Sequence, residues 1–229
     1  MCGRFAKHFT WEQIHEFSHP LTRPEMMPNF EPRYNVCPTQ TIDVVTQFEG
    51  ESARSLSQMR WGLVPTWWKK SLKELPATFN ARAETVAEKP MFRSAFKNKR
   101  CIIPASGYYE WTGEKGHRIP HYFTRRDGGL IGIAGLWDAW NPTGKPEDIL
   151  LSCTMIIGPA NEFVAPFHDR MPIILEREQF TDWLNAKSGT EVLKPAAKDL
   201  LQQRPVSTRV NSSRADTIDE TLIEPITLH

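Results

Sequence analysis

The sequence predicts an α+β fold in a single domain, with mixed or antiparallel sheets curled into a barrel-like core and peripheral helices. Its 229 residues suffice for one large domain with a sizeable core. Strand-like segments outnumber helix-like segments and do not alternate with them regularly, which argues against a parallel βαβ architecture. Because the linkers are short, residues 1–229 are predicted to form one domain, with a loose tail after about residue 212.

Helix-like segments are few. Thr10 and Gln13 have the spacing of a capping box, which predicts a short helix starting at Trp11. Pro90 is suited to the first turn of a helix that ends near Lys99. Further helices are predicted at 161–167, 176–185 and 191–202.

Strand-like segments carry β-branched and aromatic residues between turn signals. A turn at Gly50 joins the first two, and loops are predicted at 21–32, which is rich in proline, and at 62–79. The predicted strands are 41–48, 55–61, 100–103, 107–111, 121–125, 130–137, 149–157, 171–175 and 205–210.

Composition excludes several classes of function. The formal net charge is +1, so bulk positive charge does not make this chain a nucleic-acid clamp, although a local basic groove is compatible with it. None of the four cysteines forms a C-x-x-C pair, so neither a zinc ribbon nor a thioredoxin-like site is expected, and we expect no metal and no cofactor. The chain lacks a signal-peptide pattern and a membrane-length apolar run, so we expect reduced thiols and a cytoplasmic location, associated with the nucleoid if bacterial. We also expect a monomer.

Cys2 is the first candidate catalytic residue. Removal of Met1 would leave a thiol and an α-amine on one residue, and both groups titrate near pH ~8. Such an aminothiol reacts with an aldehyde to give an imine and then a five-membered thiazolidine, and the second step is intramolecular. Gly3 leaves the backbone open to close approach of a substrate. Alternatively, Cys2 is a small residue at a tolerant terminus.

Three polar clusters supply further candidates. Asn80 and Arg82 offer an amide and a bidentate phosphate fork, or a simple turn cap. Glu110 lies among aromatic residues that could desolvate it and raise its pKa, or it faces solvent from a strand. His168 lies in a His-Asp-Arg run and could shuttle protons near neutral pH, or it is structural.

Trp67 and Trp68 are adjacent to two lysines in the predicted loop. Exposed aromatic side chains with nearby cations are suited to stacking on unpaired bases, at about 1–3 kcal/mol per base. Alternatively, the tryptophans fill the core.

Together these segments resemble the SOS-response-associated peptidase family, the proteins that crosslink to abasic sites in single-stranded DNA. The resemblance covers almost the whole chain, and the ordered combination of its motifs is highly specific. The motifs are Met1 to Phe5, Arg33 to Val36 with Pro38, Trp61 to Trp68, Asn80 to Thr85, Gly107 to Trp111, His168 to Arg170 and Pro205 to Ser207.

The resemblance implies a barrel-like α+β domain and a role for each motif residue. Cys2 would be the crosslinking residue, Asn80 would position the reacting sugar, and Glu110 and His168 would be the acid–base pair. The remaining residues would contact DNA: Arg4, Arg82 and Arg170 at phosphates, Trp67 and Trp68 at bases, and Gly3, Asn35, Pro38 and Met91 elsewhere along the strand. Two positions depart from the family pattern. Cys37 stands where a small apolar residue is expected, and Pro90 stands at a position that varies within the family.

Three other functions remain open from the sequence. A non-covalent reader of modified or single-stranded DNA would tolerate loss of Cys2, because phosphate and stacking contacts carry its affinity. An N-terminal-nucleophile amidohydrolase also begins Cys-Gly, but Arg4-Phe5-Ala6 replaces the usual continuation. A specific protease would need a peptide pocket, and the sequence shows none.

Overall fold

The computed structural model describes residues 2–22, 30–48, 50–114 and 116–227. Most of the predicted proline-rich loop lies outside these residues. Within them the chain forms three short α-helices and twelve strands. The helices are α1 (Trp11–Phe17), α2 (Arg93–Asn98) and α3 (Phe180–Leu184). The strands are β1 (Phe5–Lys7), β2 (Arg33–Val36), β3 (Thr41–Thr46), β4 (Ser55–Trp61), β5 (Asn80–Arg82), β6 (Arg100–Ala105), β7 (Gly107–Thr112), β8 (Ile119–Arg125), β9 (Ile131–Trp140), β10 (Leu150–Pro159), β11 (Arg170–Pro172) and β12 (Leu201–Pro205).

Five strands close into a barrel. Their order is β10-β4-β3-β6-β9, and β9 pairs back onto β10 to complete the ring. All neighbours are antiparallel except β4 and β10, which run parallel. Strands β5 and β11 attach to β10 outside the ring. The predicted barrel-like core is therefore confirmed.

An antiparallel sheet of five strands lies beside the barrel, in the order β12-β8-β7-β1-β2. Strand β1 pairs with both β2 and β7, so the N-terminal segment runs through the interior of this sheet. This pairing holds the residues before Phe5 against β7, which carries Glu110.

Alternation along the barrel strands separates two apolar cores. On β6, Cys101 and Ile103 face the core shared with the sheet, whereas Ile102 faces the core beneath the helices. Strand β10 repeats the pattern with Ile156 beneath the helices. Side chains of a strand alternate between its two faces, so one barrel supports both layers.

Helices cover one side of the barrel. The predicted capping box begins α1, since the Gln13 N–H donates to Thr10 Oγ1 and the Thr10 N–H donates to Gln13 Oε1. Helix α2 begins at Arg93, three residues after the predicted proline start, and buries Phe96. Among the described residues, no helix has the length and apolarity needed to cross a bilayer.

Two predicted helices were wrong. Residues 161–167 form hydrogen-bonded turns closed by Asn161, because Pro166 disfavours helical geometry at the residue before it. Residues 191–202 contain Pro195, which breaks the helical pattern, and the segment ends in β12 with Leu201 buried. The helix predicted at 176–185 starts as a 3-10 turn and becomes α3.

The segment after residue 212 packs against the five-stranded sheet. The Tyr34 N–H donates to the Thr217 carbonyl at 2.6 Å, and Val206 bridges to Pro225. Leu222 is 1% exposed, whereas the nearby Ile218 is 51% exposed.

Candidate active site

The N-terminal segment places Cys2 inside the molecule. Its side chain is fully buried, in the same apolar core as Phe5 and Trp61. The Asn80 side chain holds its backbone, since Asn80 Nδ2 donates to the Cys2 carbonyl oxygen at 2.8 Å. Asn80 Oδ1 is also buried, and it has no hydrogen-bond partner among the described residues. Asn80 thus fixes Cys2 and keeps one acceptor available.

Glu110 faces the same interior region as Cys2. It is 1% exposed on β7, and its carboxylate interacts electrostatically with the Cys2 thiol. Burial raises the pKa of Glu110 to about 7. Burial also raises the pKa of the Cys2 thiol well above its usual range, and the Glu110 charge adds to that shift. Near neutral pH this arrangement pairs a neutral thiol with a carboxyl group that can both accept and release a proton.

His168 lies in the loop before β11, partly exposed at the cleft that Glu110 also lines. Its Nδ1 is 2.9 Å from the Arg170 backbone nitrogen and 2.8 Å from Asp169 Oδ1. A neutral ring accepts from Arg170 and carries its proton on Nε2, whereas a protonated ring donates to Asp169. Burial lowers the pKa of His168, and Asp169 offsets only part of that shift, so the ring is mostly neutral near pH 7.

A cleft of about 700 Å³ connects Glu110 and His168 with solvent. Four predicted site residues line it: Gly3, Arg4, Glu110 and His168. Cys2 directly precedes Gly3, so the buried thiol lies behind the cleft wall. Metal ligation is not indicated, because no cluster of three or more His, Cys, Asp or Glu side chains suited to a metal occurs among the described residues.

The polar side-chain groups of Arg4 and Asn35 are hydrogen-bonded to other protein groups. Arg4 Nη1 donates to Asn35 Oδ1 at 2.7 Å and to the Val210 carbonyl, and Nη2 donates to the Asn211 carbonyl at 3.3 Å. Asn35 is fully buried, and its Nδ2 donates to the Ser212 carbonyl at 2.9 Å. Both residues therefore tie the N-terminal segment to the segment around residue 211.

The other residues predicted to contact DNA are all at least partly exposed, and they differ in whether they pair with other side chains. Arg82 is exposed and forms no ion pair with another described residue, whereas Arg170 pairs with Glu84. Trp67 is 47% exposed, while Trp68 is half-buried with its ring centroid 6.0 Å from that of Trp67. Two others, Pro38 and Met91, are partly exposed.

Several residues at the site were missed by sequence reasoning. Trp111 and Arg118 line the cleft with Asn211, which accepts a hydrogen bond from Trp111 Nε1 at 2.6 Å and donates to the Arg118 carbonyl at 3.0 Å. Tyr108, two residues before Glu110 on β7, is fully buried and interacts electrostatically with Cys2. The alternation of side chains along β7 could have indicated Tyr108, which lies on the same face as Glu110, whereas no local pattern indicates Asn211.

Cys37 lies beside Arg4 at the edge of β2, 8% exposed, with its Sγ 3.5 Å from the Asn35 carbonyl oxygen. Burial raises the pKa of its thiol, and Arg4 and Arg33 oppose that shift. Cys37 therefore neighbours the groups that hold the N-terminal segment and is absent from the cleft lining.

The family model for SOS response associated peptidase (SRAP) matches residues 1–213. The chain belongs to this family. The resemblance seen in the sequence is thus confirmed, and the SRAP match includes every predicted site residue, from Cys2 to Arg170.

Two bacterial relatives match over nearly their whole length, and a vertebrate relative is longer than the chain. The chain is 39% identical over 222 residues to the abasic site processing protein YoqW of Bacillus subtilis, covering 93% of this chain and 96% of that protein. It is 31% identical to HMCES of Xenopus tropicalis, over 82% of this chain and 65% of that protein, which is also named an abasic site processing protein. YedK of Escherichia coli has the same description and is 29% identical, covering 99% of this chain and 100% of that protein.

Solved structures share the SRAP architecture. A crystal structure of a protein from Bacteroides thetaiotaomicron aligns with a TM-score of 0.84 at 23% identity, covering 99% of this chain and 100% of that chain. This likeness shows the fold. A crystal structure of a protein from Bordetella bronchiseptica aligns with a TM-score of 0.76 at 28% identity, covering 90% and 100%.

Proposed function

We propose that this protein acts on abasic sites in single-stranded DNA by forming a covalent thiazolidine through Cys2. The arrangement of Cys2 and Glu110 at the cleft carries the proposal: Asn80 holds the Cys2 backbone, and the Cys2 thiol interacts with a carboxyl group whose pKa is about 7. The names of relatives at 29–39% identity supply the substrate class. The adduct would shield the lesion from nucleophiles that cleave the strand during the response to DNA damage.

Exposure of Cys2 is the first requirement. Met1 precedes Cys2, so hydrolysis of the Met1–Cys2 peptide bond must come before the reaction and give Cys2 a primary amine. This is the one proteolytic event that the chemistry needs. We therefore assign the peptidase character of the family, in this chain, to N-terminal processing and not to turnover of other proteins.

Imine formation comes next. The abasic deoxyribose is mostly a closed hemiacetal, and its ring opens when a proton leaves the hydroxyl and another reaches the ring oxygen. His168, mostly neutral near pH 7, accepts the first proton at the imidazole. The Cys2 amine then attacks the aldehyde carbon to give a carbinolamine, and protonated Glu110 donates to the departing hydroxyl, which leaves as water.

Ring closure completes the adduct. The Cys2 sulfur adds to the imine carbon, so an S–C bond forms while the C=N bond becomes a C–N single bond. The thiol proton passes to Glu110, and the nitrogen regains a proton, so no oxidant or reductant is required. A carboxyl group with a pKa near 7 suits both steps, because each protonation state is well populated at neutral pH.

The DNA path follows from the exposed groups. Arg118 lines the cleft, and Arg82 and Arg170 follow Asn80 and His168 by two residues each. These three arginines are the cations for phosphates, and Arg170 is oriented by Glu84. Trp67 and Trp68 stack on bases, whereas Pro38 and Met91 contact the strand elsewhere. Arg4 and Asn35 act indirectly, because their hydrogen bonds hold the N-terminal segment against residues 210–212.

Intact mass tests this proposal. Wild-type protein incubated with a single-stranded oligonucleotide carrying one abasic site should lose Met1 and gain the mass of the oligonucleotide less one water, with the adduct mapping to Cys2. Cys2→Ala should give no adduct, while the matched Cys37→Ala should react like wild type. Binding without any mass gain would favour the non-covalent reader instead.

A further inference from the structure

Tyr108 carries a buried hydroxyl that no contact within the fold satisfies. Its side chain is fully buried on β7, and its oxygen has no hydrogen-bond partner among the described residues. The next residue on β7, Tyr109, donates its hydroxyl to the Tyr34 carbonyl oxygen at 2.5 Å. Burial of a hydroxyl without a partner disfavours folding, and native proteins leave few such groups. The Tyr108 hydroxyl therefore indicates a partner that arises only during the reaction.

Pairing of β1 with β7 places this hydroxyl beside Cys2. Phe5 is opposite Tyr108 in the register of the two strands. The Arg4 carbonyl oxygen accepts from the Tyr109 N–H at 3.1 Å and lies 3.9 Å from Cys2 Sγ, so the thiol is held against the backbone of β7. Tyr108 and Cys2 belong to the same apolar core, whereas Tyr109 belongs to a different one.

The partner of the hydroxyl changes character during the reaction. In the resting protein the Cys2 thiol is neutral, because burial raises its pKa, and it donates toward the Arg4 carbonyl. Once its proton passes to Glu110, the sulfur is an anion and a strong hydrogen-bond acceptor. Burial raises the pKa of Tyr108 well above its usual range, and charges on Cys2 and Glu110 add to that shift, so Tyr108 keeps its proton and remains a donor.

We propose that the Tyr108 hydroxyl is a further catalytic group, which donates a hydrogen bond to the Cys2 sulfur as it becomes anionic during ring closure. The thiol proton passes to Glu110, a sulfur electron pair forms the S–C bond, and the C=N electron pair moves to nitrogen, which takes up a proton. Tyr108 neither gains nor loses a proton. A preorganised donor in a buried site stabilises the charge that develops there. The inference rests on the proposed function, because ring closure is its last step.

Tyr108→Phe tests the hydroxyl alone, because a phenyl ring retains the stacking on Phe123, whose ring centroid is 5.1 Å away. With an abasic oligonucleotide, the adduct that survives denaturation without reduction should form about tenfold more slowly, since the anionic sulfur loses one charge-assisted hydrogen bond. With borohydride present throughout, total adduct should form at the wild-type rate, because imine formation does not use the sulfur.

Tyr109→Phe is the matched control on the same strand. It removes the hydroxyl that donates to the Tyr34 carbonyl, so it should lower the midpoint of urea unfolding and leave both adduct rates unchanged. Tyr108→Phe should unfold at the wild-type midpoint or above it, because the hydroxyl that it removes has no partner among the described residues.

Alkylation of Cys2 by iodoacetamide gives a readout that needs no DNA. At a fixed pH its rate follows the thiolate fraction, so the reaction should be several-fold slower in Tyr108→Phe than in wild type and unchanged in Tyr109→Phe. The mass of the N-terminal peptide distinguishes Cys2 from the other three cysteines.

Equal ring-closure and alkylation rates in Tyr108→Phe and wild type would overturn this inference. So would an equal slowing of total adduct formation, which would place the hydroxyl in an earlier step, or an equal slowing in Tyr109→Phe. A wild-type protein that forms no adduct contradicts the proposed function. Alkylation then decides the inference alone: a slower rate in Tyr108→Phe supports the hydrogen bond to sulfur, and an equal rate contradicts it.

Discussion

At the scale of single residues, Cys2, Asn80, Glu110 and His168 divide the reaction between them. Cys2 supplies both nucleophiles, and Asn80 fixes its carbonyl. Burial raises the pKa of Glu110 to about 7 and lowers the pKa of His168. The sequence indicated these four because their motifs match a family. It could not show that Glu110 and Cys2 interact, because that depends on the pairing of β1 with β7.

The burial of Glu110 predicts a pH-dependent stability. Its pKa is about 7 in the folded state, above the value of 4.5 in the unfolded chain, so folding favours the protonated form. The stability is full below about pH 4 and falls by about 3 kcal/mol as the pH rises to 7. Glu110→Gln removes this titration. Its free energy of unfolding should therefore gain about 3 kcal/mol relative to wild type between about pH 4 and pH 8.

Urea unfolding across that pH range measures the difference. Glu88→Gln, at an exposed carboxylate, is the matched control and should follow the wild-type profile. Parallel profiles for wild type and Glu110→Gln would show that Glu110 is not desolvated in the folded protein.

At the scale of elements, the long strands, the short β11 and the capped helix were predicted, whereas β1, β2 and β5 were not. Strands β1, β2 and β5 have three or four residues and owe their conformation to partners distant in sequence. No local pattern specifies such segments. The site depends on them, since β1 and β5 carry or adjoin Cys2 and Asn80.

Strand β7 shows how packing constrains an element that carries a catalytic group. A Cβ at Gly107 would lie 2.5 Å from the Phe123 carbonyl oxygen and 2.5 Å from Tyr122 Cζ, both on β8. Gly107→Ala should therefore push β7 from β8 and cost about 1–3 kcal/mol in the free energy of unfolding. It should also slow adduct formation, because Glu110 moves with the strand.

Gly129→Ala is the control, because the atoms nearest to its new methyl group belong to the flexible side chains of Asp127 and Arg125, at 3.1 Å or more. Chemical denaturation of both variants gives the comparison. An equal loss of stability in the two would mean that the approach of β8 does not constrain Gly107.

At the scale of the whole molecule, the sequence predicted a single α+β domain with a barrel. It did not predict which strands pair to close that barrel. Closure needs β10 to pair with β9 and β4 together, and such pairings join residues far apart in the chain. The same limit applies to the Arg4–Asn35 contact and to the packing of residues after 212.

The packed tail gives a prediction for the molecule as a whole. Leu222→Ala should reduce the free energy of unfolding by about 2–4 kcal/mol, because it empties a buried site. Ile218→Ala, on the same segment but exposed, should change it by less than about 0.5 kcal/mol. Thermal or urea unfolding distinguishes the two. A negligible effect of Leu222→Ala would support the loose tail expected from the sequence.

The central claim is that Cys2 reacts through both its amine and its thiol, and Cys2→Ser tests it most directly. Serine retains the N-terminal amine and lacks the sulfur. With an abasic oligonucleotide, we expect Cys2→Ser to give a stable adduct only when borohydride reduces the imine. The wild-type adduct should survive denaturation without reduction. A stable adduct of Cys2→Ser without borohydride would contradict a role for the thiol, and failure to trap any imine would contradict a role for the amine.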